Sequence, residues 1–113
     1  MKIEKFHLYL ANLNPQSGTE PGKIRPVVVI QTNLLNNAHS STLVCPITTK
    51  IVKGSNLLRV HLTQKESGLP HDSDILADQV RALDNRRFIK PIGKLAAHHQ
   101  EKLLENLRLL ILE

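Results

Sequence analysis

A small, strongly bent antiparallel β-barrel carrying one C-terminal helix is the fold that this 113-residue sequence predicts. Three observations point to it. Five or more short β-like segments follow one another, no strand–helix–strand alternation separates them, and the one long helical stripe stands at the C-terminus. The length suits a single domain, residues 1–113, with one small core that a partner subunit would help to stabilise.

The first element, Phe6 to Leu13, alternates Phe6, Leu8 and Leu10 against His7, Tyr9 and Ala11, as a half-buried strand does, and stops at Asn14-Pro15. Pro26 to Ile30 is an unbroken β-branched run, read as a central strand buried on both faces. The stretch Asn33-Leu34-Leu35-Asn36-Asn37 is a loop or one helical turn. Ser41 to Thr48 reads as a third strand, which Pro46 places near an edge or a bulge. Leu57 to Leu62 is the fourth, and Lys65 to Asp72, with Gly68 and Pro70, a connection. Ser73 to Leu83 then reads as one longer β segment and Phe88 to Ile92 as a short last strand. From Leu95 to Leu112, the residues Leu103, Leu104, Leu107, Leu110 and Ile111 share a stripe at helical spacing, which makes an amphipathic helix lying on the sheet.

Composition excludes several functions. Phe6, Tyr9 and Phe88 are the only aromatics, so stacking platforms for single strands are lacking and any nucleic acid would be held by polar contacts. Cys45 is the only cysteine, which rules out an intrachain disulfide and fits a reducing cytoplasm. No apolar run approaches a membrane span and the N-terminus lacks a signal-peptide pattern, so a cytoplasmic protein with no membrane partner is expected. None of the six histidines forms an H-x-x-x-H or H-E-x-x-H pair, so no metal is expected, and His98 and His99 read as exposed helix positions. Gly18 and Gly22 belong to neither standard nucleotide-loop pattern and suit a long hairpin loop.

Charge is more telling in its distribution than in its total of +5. Arg81, Arg86, Arg87, Lys90 and Lys94 face only Asp84, an excess that suits either a polyanion or a solvated basic sheet edge. Arg25 stands at the mouth of the second strand, directly behind the polar loop Ser17 to Ile24, where a five-donor guanidinium can grip a phosphate. The segment Cys45-Pro46-Ile47-Thr48-Thr49-Lys50 ends another apolar strand in two hydroxyls and an ammonium. Singly, Arg25 would be read as an ion-pair residue and Thr48 as an ordinary strand residue.

In combination, Ser17 to Ile30, then Pro46-Ile47-Thr48-Thr49, then Ile75-Leu76-Ala77-Asp78-Gln79-Val80-Arg81-Ala82-Leu83-Asp84 closely resemble the MazF/PemK family of toxin endoribonucleases. The resemblance runs in order from Tyr9 through the terminal helix. It implies an SH3-like barrel, a homodimer, and sequence-specific cleavage of single-stranded RNA that needs no metal or other cofactor. It also implies a cognate antitoxin whose C-terminal segment covers the RNA groove. By motif position, Arg25 is the catalytic arginine and Thr48 its hydroxyl partner, while Thr19, Glu20, Thr49, Gln79 and Arg81 contact RNA. Two departures, Phe6-His7 where members usually have glycine and an acidic residue, and Pro21 where glutamine is common, bear on substrate preference.

Metal-free cleavage uses the neighbouring 2′-hydroxyl as nucleophile. Arg25 and Thr48 then donate to the phosphoryl oxygens, and a guanidinium is a poor proton acceptor. The base is another group: Asp78 first by motif position, Glu20 second, His61 third. Two rival readings are a toxin of the same barrel that inhibits a protein target such as DNA gyrase, and a bare SH3-like interaction module.

Overall fold

The computed structural model describes residues 1–13 and 23–113. Seven strands, β1 (His7–Asn12), β2 (Ile24–Val29), β3 (Ser41–Thr48), β4 (Arg59–Leu62), β5 (Ser73–Leu76), β6 (Arg81–Asp84) and β7 (Phe88–Lys94), form one antiparallel sheet in the order β4-β5-β3-β2-β1-β7, with β6 also on β3. A short helix α1 (Gln64–Ser67) joins β4 to β5, and α2 (Ala97–Leu107) follows β7. The sheet bends into the expected small barrel without closing, since β4 and β7 end the hydrogen-bonded order.

Curvature lets the sheet enclose apolar side chains on both faces. Val27, Val28 and Val29 are fully buried. Alternation sends Val28 to a cluster with Leu8, Cys45, Ile47, Ile75 and Leu103, beneath α2, and sends Val27 and Val29 to a second cluster with Tyr9, Ala11, Leu13, Val44 and Leu83. β2 is therefore the central strand its run of valines predicts.

Three elements differ from expectation. The Ser73 to Leu83 segment is two strands, because at Ala77 the chain leaves β3 and its amide donates to the Leu58 carbonyl at 3.0 Å. Pro46 explains the break. The Ile30 amide donates to Leu43, so the odd residues of β3 bond β2 and the even ones face β5 and β6. The missing N–H of Pro46 thus falls between the Val44↔Arg81 and Ile47↔Ile75 pairs, where no ladder bond is needed. The connection after β4 contains α1, whose N-cap is Thr63: its hydroxyl oxygen accepts from the Glu66 amide at 3.2 Å and donates to the Glu66 carboxylate at 2.9 Å. Thr63-Gln64-Lys65-Glu66 is a capping box the sequence already displays.

The helix stripe is also narrower than its leucines suggest. Leu103 is buried and Leu107 and Leu110 pack on the first cluster, whereas Leu104 and Ile111 lie about 100° further round and are exposed. The side facing the sheet instead includes His99 and Asn106, whose amide donates to the Arg59 carbonyl at 3.3 Å. Among the described residues, no helix is long and apolar enough to cross a membrane.

Phe6 adopts φ +64, the left-handed region that glycine tolerates best. Its amide donates to Val29 and its carbonyl accepts from Leu95, which ties β2 to the end of β7 through this one residue. The ring packs on the first cluster, offsetting a backbone cost on the order of 1–2 kcal/mol.

Candidate active site

Arg25 is the second residue of β2 and pairs with Ala11 on β1. Alternation places it on the Val27 side of the sheet, where the second apolar cluster ends. There a cleft of about 390 Å³ opens, lined by Leu13, Lys23, Arg25, Pro46, Leu76, Gln79 and Arg81. The Leu13 amide donates to the Lys23 carbonyl at 2.8 Å, so the two residues that bracket 14–22 also line the cleft. The side chains of Lys23, Arg25, Gln79 and Arg81 form no hydrogen bond or ion pair with any described residue. Three cations and an amide in one concavity, with no carboxylate among its described lining residues, make an anion site.

The predicted residues separate into groups. Arg25, Gln79 and Arg81 share the cleft, joined by Lys23, which was not singled out because a lone loop lysine carries no sequence signal. Thr48 is buried at the end of β3, pairs with Asp74, and accepts the Lys50 amide at 3.1 Å. Its O–H has no acceptor among the described residues and is free to donate. Continuing the Val27↔Pro46 register by two residues sets Arg25 opposite Thr48, although the ladder itself ends at Val27↔Pro46. Thr49 and Asp78 are exposed and neither lines the cleft. Burial, with the Asp78 charge adding to it, pushes the Cys45 thiol up to about 12, so the chain's lone thiol is un-ionised. Thr19 and Glu20 lie outside the described residues.

Beside Thr48 sits a network that sequence reading missed. Asp74 is completely buried and accepts from the Val52 amide at 3.1 Å, Arg59 Nη1 at 3.0 Å and His61 Nδ1 at 2.6 Å. Arg59 Nη1 also donates to the Lys50 carbonyl at 2.6 Å. Burial alone would raise the Asp74 carboxyl, but the His61, Val52 and Arg59 donors outweigh it and hold the group below its usual range. The network fastens the loop 49–58, which leaves β3 directly after Thr48. His61, proposed third as a base, is committed here to Asp74.

Other expectations shift as well. Arg86 is paired in a fork to Asp84 at 2.8 and 3.1 Å, so the basic edge is partly neutralised. His99 is buried rather than exposed.

With this geometry in place, the chain can be set beside known proteins. Residues 4–111 match the family described as PemK-like, MazF-like toxin of type II toxin-antitoxin system. The chain is 33% identical over 109 residues to endoribonuclease EndoA of Bacillus subtilis (strain 168), across 96% of this chain and 94% of that protein. MazF (Form-I) from Deinococcus radiodurans shares its fold with a TM-score of 0.80 at 27% identity, covering 100% of this chain and 99% of that one. MazE-MazF (Form-II) from the same organism gives 0.81 at 27% identity, covering 98% and 96%.

Proposed function

The chain belongs to the PemK-like, MazF-like toxin family of type II toxin–antitoxin systems and is an endoribonuclease, and from that premise we propose that it cuts single-stranded RNA at short sequences without a metal ion. The cleft carries this reading. Lys23, Arg25 and Arg81 bring three cations to a place where the described structure gives them no partner, which is what a phosphodiester requires.

In the proposed reaction the 2′-oxygen loses its proton to a base and attacks the adjacent phosphorus. The 5′-oxygen departs and takes up a proton, leaving a 2′,3′-cyclic phosphate and a 5′-hydroxyl. Arg25 donates two parallel hydrogen bonds to the phosphoryl oxygens as their charge grows, and the free O–H of Thr48 adds a third. Asp78, exposed and one residue from Gln79 of the cleft, is the assigned base. Gln79, Arg81 and Thr49, with Thr19 and Glu20 from the preceding loop, contact the flanking nucleotides.

Residues 1–113 act as one toxin domain in the cytoplasm, paired in a homodimer. The exposed Leu104, Ile111 and Leu112 of α2 and its final turn support pairing, since a second copy would cover them. A cognate antitoxin fits the MazE-MazF complex among the similar structures, its C-terminal segment occupying the same cleft as RNA. Incubating a long RNA with the protein in EDTA tests the reading. Fragments ending in 2′,3′-cyclic phosphate at a recurring short sequence are expected, and RNA left intact by folded protein would overturn it.

A further inference from the structure

Away from the cleft, Glu66 of α1 meets His98 and His99 in the first turn of α2. One ligand atom from each lies within 4.8 Å of the others, and none of the three residues lines the cleft. We propose that Glu66, His98 and His99 bind one zinc ion, with water as the fourth ligand, and that this ion staples α2 to the connection between β4 and β5.

The donor set selects the ion. Two imidazole nitrogens and one carboxylate oxygen suit Zn²⁺, whereas Mg²⁺ and Ca²⁺ call for all-oxygen surroundings. Bond lengths of ~2.0–2.1 Å in a tetrahedron set donors roughly 3.3 Å apart. His98 Nε2 stands 3.1 Å from one Glu66 oxygen and His99 Nε2 4.0 Å from the other, and with the three ligand atoms within 4.8 Å of one another, side-chain rotation has to draw them to that spacing. The Thr63 hydroxyl that donates to Glu66 at 2.9 Å fixes the carboxylate from behind, as outer-shell partners of metal ligands do.

His99 supplies an independent reason. Its side chain is more than nine-tenths buried and, among the described residues, its ring makes no hydrogen bond; Nδ1 is enclosed without a partner and Nε2 is too far from Glu66 to bond it. Nε2 is the nitrogen that faces Glu66, and no described protein group hydrogen-bonds it, so a cation there would meet an unfilled acceptor. Glu66 and His98 are exposed, so an ion can enter.

The competing account is a protonated His98 paired to Glu66, which needs no metal. Protein stripped with EDTA and titrated with zinc chloride at neutral pH separates the two. Calorimetry should show one site per chain, thermal melts should rise by several degrees, and Co²⁺ in place of zinc should give the intense visible absorption of tetrahedral coordination. Glu66→Gln and His98→Ala, each on the surface, should keep the zinc-free melting temperature within a few degrees and weaken binding at least about tenfold. No saturable binding at roughly tenfold zinc excess, or wild-type affinity in both variants, overturns the proposal. Because the readouts are binding, melting and absorption, the outcome is independent of whether RNA is cut.

Discussion

At the scale of single residues, the cleft turns on Arg25. Its fork can bridge two phosphoryl oxygens, whereas an ammonium presents a point charge, so Arg25→Lys separates geometry from charge. Single-turnover cleavage by Arg25→Lys should fall on the order of 100-fold or more, while affinity for a 2′-deoxy substrate analogue changes only a few-fold. Equal loss in both quantities would make Arg25 a binding group instead. Arg25 was legible in the sequence because a β-branched run with an arginine at its mouth is a local pattern. Asp74 was not: it draws on Arg59 and His61, 15 and 13 residues earlier, and becomes their acceptor only when β4 and β5 pair.

At the scale of elements, that buried carboxylate is what holds loop 49–58 against the sheet. Asp74→Ala strands Arg59, His61 and the Val52 amide, and should cost on the order of 3–5 kcal/mol in urea unfolding. Because the folded pKa of Asp74 is depressed, its contribution is complete above the unfolded value of about 3.9 and is lost as pH falls through that value towards the lower folded one. Wild-type stability should therefore drop below about pH 4, more steeply than that of Asp74→Ala. Parallel acid slopes for the two proteins would contradict this. Most strand segments and the helix position were readable because they rest on periodicity. The division of the third β segment into β5 and β6 was not, since Pro46 announces a missing hydrogen bond without saying which neighbour goes without it. Likewise, leucines alone do not say that a curved sheet covers Leu103 and leaves Leu104 in solvent.

At the scale of the molecule, a net charge of +5 draws RNA from a distance, but its members are unequal. Asp84 already neutralises Arg86, so Arg86→Gln should leave the salt dependence of RNA affinity nearly unchanged, whereas Arg81→Gln in the cleft should reduce the log–log slope by about 0.7. Equal slopes for the two variants would show that pairing with Asp84 does not shield Arg86. Cys45 carries a different whole-molecule consequence. A thiol that is wholly enclosed beside Val28 and held un-ionised reacts with an external disulfide only when the first apolar cluster opens. The chain thus contains its own clock: the rate at which a coloured aromatic disulfide consumes this sulfur in native buffer counts excursions to the open state. Run with and without a bound antitoxin segment, the same measurement tells how many of those excursions the partner suppresses.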